Sequence, residues 1–329
     1  MLLWLHKHKV HVILFALILV AVIFLSSNEP ISSVAPIQNV SAQTISTCLN
    51  RVNIDLRELH WIYVPESADE LRTETDRYYL AGQLISNDIV DASTCPSGGL
   101  RLDGYANACG IAVARPAVIY IQNMLNEPIL QAFKDTGVPP VLLKQLISVE
   151  SEFWPSQYSY AHFGFGHVTN MGMRNALQWN PVLVAKVCPT SSTEDCRTSV
   201  SISEKILSSM IATCPTCKYG IDPEIANRSV DILAEVVLGY CFQTARIVFN
   251  ATERFSGSIV DYATIWKLTL MNYNAGPTCV YDAVLATFKK TQGRMDWSQI
   301  SENVSGNLCN RGLTYANQIT AKVFNFPPD

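Results

Sequence analysis

The stretch Val138-Pro-Pro-Val-Leu-Leu-Lys-Gln-Leu-Ile-Ser-Val-Glu-Ser151 decides how this chain reads. Pro139 and Pro140 suit a helix start, where a missing backbone donor costs nothing, and the residues that follow are mostly good helix formers. The pattern predicts a helix from about Val141. Leu142, Leu143 and Leu146 recur at helical intervals, and Glu150 comes one turn after Leu146, so the acid shares their face. Burial disfavours the charged form of a carboxyl, which is the condition a general acid near neutral pH requires. A carboxylate at the edge of the stripe, reaching solvent, would have the same spacing.

A second segment lies far down the chain, Leu268-Thr-Leu-Met-Asn-Tyr-Asn-Ala-Gly-Pro277. Ile265, Leu268 and Met271 predict a helix that runs into Tyr273-Asn274 and is stopped by Ala-Gly-Pro. Such an end presents a phenol and an amide. By itself it is also an ordinary capped terminus, because Gly and Pro punctuate many helices.

Together the two segments resemble the catalytic domain of soluble lytic transglycosylases, lysozyme-like enzymes that cleave bacterial peptidoglycan. Glu150-Ser151 and Tyr273-Asn274-Ala275-Gly276 match that family's pattern, and Gly312-Leu-Thr-Tyr315-Ala-Asn-Gln-Ile-Thr-Ala-Lys-Val323 looks like its last helix. The resemblance covers roughly 137–323. It departs at Gly164-Phe-Gly-His167-Val-Thr169, where the family has Gly-Leu-Met-Gln, so His167 stands in the place of a sugar-contacting glutamine. It departs also in length, through a cysteine-bearing insertion at about 180–256 that is expected to shape the groove.

The resemblance implies a lysozyme-like domain at 137–329, and the residue pattern before it reads as a helical extension at 47–136, so a mainly α fold is expected. It implies cleavage of the β-1,4 bond between N-acetylmuramic acid and N-acetylglucosamine by one acid. Glu150 would protonate the leaving oxygen and then accept a proton from the muramic 6-hydroxyl, whose intramolecular attack forms an anhydro sugar. Tyr273 would orient the acid or stabilise developing charge, while Ser151, His167, Asn274 and Tyr315 would contact the glycan. Most glycosidases use a second carboxylate. Glu152 does not supply one, since two residues of helix rotate it by about 200° to the other side. No metal or cofactor is called for. Two other readings stay open, a hydrolytic muramidase and a noncatalytic peptidoglycan-binding or assembly protein that kept the fold.

The N-terminus sets the expected compartment. Basic residues within 1–9 precede an apolar segment at 10–25, the pattern of a signal peptide or a signal anchor whose start stays in the cytoplasm. Residues 26–46, rich in Ser, Pro, Asn and Gln, read as a linker. All ten cysteines follow, from Cys48 to Cys309, and an even number in an exported chain points to disulfides. Cys188, Cys196, Cys214 and Cys217 are expected to staple the insertion. The expected location is the bacterial cell envelope, with the membrane, peptidoglycan strands and a cell-wall or secretion machine as partners.

The chain has 329 residues, 48% of them hydrophobic and 16% charged, with a formal net charge of −4. That length supports a sizeable core. No basic stripe is present, which leaves nucleic-acid binding without electrostatic support. Helices are expected around 54–62, 80–89 and 225–249, and from Arg115 to Lys134 with an interruption at Pro128. No strand alternation stands out.

Overall fold

The longest described helix, Pro223–Thr252, forms the centre of the fold. In the computed structural model, which describes Cys48 and residues 59–188 and 193–321, the chain is mainly helical. All of these residues fall in one compact unit. The N-terminal stretch, the apolar segment and the linker expected at 1–46 lie outside the described residues, as do 54–58.

The helices, in chain order, are α1 (Tyr78–Ser86), α2 (Ala108–Met124), α3 (Asn126–Thr136), α4 (Pro140–Glu150), α5 (Asn170–Trp179), α6 (Pro181–Val187), α7 (Thr193–Thr198), α8 (Val200–Ser208), α9 (Pro223–Thr252), α10 (Ser256–Ile259), α11 (Tyr262–Ala275), α12 (Pro277–Thr291), α13 (Trp297–Ser301) and α14 (Asn307–Ala321). Helix α9 begins sharply because Asp222 accepts the Glu224 and Ile225 amides and Pro223 needs no donor. It is about 45 Å long and packs against α3, α5, α11 and α12. It is therefore core and no appendage, although it lies inside the expected insertion. It and Ala108–Thr136 are the described stretches long and apolar enough to cross a membrane, and 83% of the apolar window of α9 is buried in the fold.

Two expectations need correction. The helix expected from Arg115 starts earlier, at Ala108, because the Asn107 side chain accepts the Cys109 and Gly110 amides at 3.0 and 2.9 Å. It ends at Met124, and α3 begins just beyond. Pro128 has no amide to offer the Met124 carbonyl and its ring crowds that oxygen, so the break falls one turn before it. The second correction is a two-stranded antiparallel hairpin, β1 (Gln157–Ser159) and β2 (His162–Phe163), too short to show alternation in sequence.

Helix α4 is buried on every side from Pro140 to Ser148, not along one stripe. Lys144 is 1% exposed. Its ammonium donates to the Leu71 carbonyl, to Asn126 Oδ1 at 2.6 Å and to Asn123 Oδ1 at 3.3 Å. Only Val149 and Glu150 come part of the way out.

All ten cysteines pair: Cys48–Cys241, Cys95–Cys109, Cys188–Cys196, Cys214–Cys217 and Cys279–Cys309. The four insertion cysteines thus close two local loops. Cys279–Cys309 ties the start of α12 to α14. The crossing of α14 on α11 is close, since a Cβ on Gly312 would lie 2.5 Å from that of Ala275.

Candidate functional site

Helix α4 stops at Glu150 because the chain turns left-handed, with φ of 45° at Glu152 and 69° at Phe153. Neither residue favours that region, so surrounding contacts must hold it. Phe153 is fully buried, and the Glu152 carboxylate accepts the Tyr79 amide at 3.0 Å. Nearby, burial lowers the Arg77 guanidinium from its usual range while the charge of Glu152 opposes the shift. Glu152 therefore leaves the site because the helix has ended, not through helical rotation.

The Glu150 side chain is 16% exposed and is gripped from two sides. The Tyr315 hydroxyl, on α14, donates to Oε1. Oε2 faces His167 Nδ1 at 3.5 Å, a charge contact when the imidazole is protonated but too long for a strong hydrogen bond. Burial, and then the neighbouring Glu150 carboxylate, push the Tyr315 phenol well above its ordinary range. It keeps its proton and stays a donor.

The loop from Gly164 to Val168 carries His167 and is pinned at two carbonyls. Ser151 donates to Phe165 O at 2.8 Å, and Tyr273 donates to Gly166 O at 2.6 Å. Gly166 has no room for a side chain, as a Cβ would lie 2.3 Å from Leu233 and 3.0 Å from the Tyr273 hydroxyl. His167 itself is left-handed, with φ of 48°. The phenol of Tyr273 is raised well above normal by burial first and by Glu150 second, so it lies in the field of the acid. Its hydroxyl nevertheless positions the loop, while Tyr315 meets the carboxyl.

Ser151 is 1% exposed and turned inward, which corrects its expected role as a glycan contact. The buried α4 terminus needs that hydroxyl to satisfy the loop. Asn274 is exposed, one residue beyond Tyr273.

Two cavities of about 550 Å³ are lined by neighbours of the residues that hold the acid, though not by Glu150 itself. Asn274, Asn307, Arg311 and Tyr315 belong to one of them. The other includes Tyr79, Gln83, Trp154 and Tyr158, and Tyr158 stacks on His167 with ring centroids 4.9 Å apart and planes inclined at 28°. A continuous path of side chains then leads from Tyr158 through His167 and Glu150 to Tyr315. Tyr79 and Tyr158 were not singled out from sequence. The one signal was the aromatic density of Trp154-Pro-Ser-Gln-Tyr158-Ser-Tyr160, which carries no periodicity. Such an arrangement can transfer a proton to and from a neutral substrate that reaches Glu150. Comparison with protein-family models, with curated proteins and with solved structures finds no match for this chain.

Proposed function

We propose that this protein is a lytic transglycosylase of lysozyme-like fold that cuts peptidoglycan strands between N-acetylmuramic acid and N-acetylglucosamine. The observation that carries the reading is one acid, Glu150, held by Tyr315, which lines one cavity, and faced by His167, on which Tyr158 of a second cavity stacks. A polymer needs binding space on both sides of the cut. A single acid suits a reaction in which the substrate supplies its own nucleophile. Glu150 protonates the leaving oxygen, and the carboxylate so formed keeps the Tyr315 hydrogen bond, which favours its charge. The carboxylate then takes the proton of the muramic 6-hydroxyl as that oxygen closes on the anomeric carbon, giving the anhydro sugar. Tyr273 acts through the loop it holds, and Asn274 touches the glycan.

Five disulfides support a location outside the cytoplasm. We place the protein in the bacterial envelope, tethered or released by its N-terminal segment, where a cell-wall or secretion machine could use local opening of the wall. The test is mass spectrometry of fragments released from purified peptidoglycan. Anhydro ends that vanish in Glu150→Gln are expected. Reducing ends would make it a hydrolytic muramidase, and retention of strands without any release would make it a binding protein.

A further inference from the structure

We infer that the cavity walled by Tyr79, Gln83, Asn87, Tyr105, Trp154 and Tyr158 is a separate carbohydrate subsite, which takes an uncharged N-acetylated sugar away from the acid. This rests on the glycan reading of the Glu150 cleft and adds where a distant part of the same strand is held. Three tyrosine rings adjoin one another, Tyr79 to Tyr105 at 5.6 Å and Tyr79 to Tyr158 at 6.2 Å between centroids. Phenol rings offer an apolar face with a polar tip, which suits the C–H face and the hydroxyls of a sugar. Gln83 and Asn87 add amides that can both donate and accept.

Charge narrows the ligand class. The one acid in the lining, Asp103, is paired with Arg101 at 2.6 Å and accepts the Tyr105 amide at 3.2 Å. A neutral ligand fits this wall better than a cation. The volume of about 550 Å³ falls in the usual range of small-molecule sites.

The walls are preformed. A Cβ on Gly82 would lie 2.2 Å from the Gly104 carbonyl, so α1 and the loop bearing Tyr105 are in fixed close approach. Opposite them, a Cβ on Gly220 would lie 2.1 Å from Ile89, which clamps the Cys214–Cys217 loop against the same region. Rigid walls lower the ordering cost of binding. Tyr79, Gln83, Asn87 and Tyr105 all precede residue 137, which gives the N-terminal extension a substrate-binding task of its own.

The experiment uses the full-length Glu150→Gln protein and N-acetylglucosamine hexamer and trimer as probes, with calorimetry for affinity and the part of the tryptophan fluorescence lost in Trp154→Phe for occupancy. The hexamer should bind more tightly than the trimer and perturb the fluorescence. Tyr105→Ala, and independently Gln83→Ala, should weaken hexamer binding about tenfold with unfolding temperatures unchanged. Hexamer affinity that survives both substitutions overturns the inference, and so does a parent protein that binds neither oligomer. The two readings fail separately. Hexamer binding that depends on Tyr105, in a native protein that cuts no peptidoglycan, leaves the subsite standing and removes the enzyme. Anhydro products with indifferent cavity variants do the reverse.

Discussion

Helix α4 carries two ionisable groups less than two turns apart, and the fold treats them in opposite ways. Lys144 is enclosed and surrounded by the Leu71 carbonyl and the Asn123 and Asn126 oxygens. Glu150 has one oxygen held by Tyr315, the other 3.5 Å from an imidazole, and a side chain still 16% exposed. A buried amine with its partners in place is a structural joint. A partly open carboxyl with one firm partner keeps capacity for a substrate. Burial alone does not separate structure from chemistry; residual hydrogen-bonding capacity does.

Substitution at the two ends should separate the roles completely. Glu150→Gln keeps the shape and is expected to reduce fragment release from peptidoglycan on the order of 10³-fold, with the melting temperature held. Lys144→Met should do the opposite, costing about 2–4 kcal/mol of stability as the Leu71 carbonyl and two amides lose their donor. Turnover per folded molecule should persist. Equal damage to catalysis at both ends would break the contrast.

The lysine end also has a pH signature. Burial first, then the charges of Arg77 and Arg72, pull Lys144 from its ordinary 10.5 down to about 6. Between those values the unfolded chain binds a proton that the folded protein lacks, so stability rises with pH, by at most about 1.4 kcal/mol per unit. Below about 6 both states are protonated and the slope disappears. The melting temperature of the native protein relative to Lys144→Met, scanned from pH 5 to 9, should be flat at first and then climb. A flat difference throughout would mean that the three oxygen acceptors keep the ammonium charged inside the fold.

A smaller effect tests how the acid is reached from a distance. Gly312→Val would drive a side chain into Ala275 and the Met271 carbonyl, which a glycine leaves clear. The α11–α14 crossing should widen, with a loss of about 1–3 kcal/mol and a fall in fragment release as Tyr315 retreats from Glu150. A destabilised variant with unchanged release would show that this crossing does not position the phenol.

What could be read from sequence follows the range of the interaction. The α4 helix and its terminal acid were legible because proline, leucine spacing and the Glu-Ser ending are local signals. The long α9 helix was legible as an apolar core helix over 225–249, because its apolar residues are too many for one exposed face. Lys144 was not legible, since a lysine between leucines reads as the wet face of a helix and only Asn123 and Asn126, at the α2–α3 junction, make it core. The Tyr315–Glu150 bond joins positions 165 apart, and no spacing rule reaches across that distance. The Tyr79–Tyr105 wall met the acid's cleft only through Tyr158, a single stacked ring at the hairpin.

The subtlest prediction concerns what Tyr315 does. The resemblance makes it a glycan contact, whereas the geometry puts its hydroxyl on the acid and its ring in a cavity wall. Tyr315→Phe keeps the ring and removes the hydroxyl alone. If the phenol steadies Glu150 once its proton has gone, kcat should fall about tenfold, equivalent to roughly 1.4 kcal/mol, with KM unchanged. If it serves the glycan, KM should rise and kcat hold. Because burial and the adjacent carboxylate keep the phenol protonated well above its ordinary range, the deficit of the variant should be the same at pH 6 and at pH 8. A deficit that vanished on the alkaline side would mean that the hydroxyl loses its proton in the working enzyme, and the steadying role would have to pass to His167, the other group facing the carboxyl.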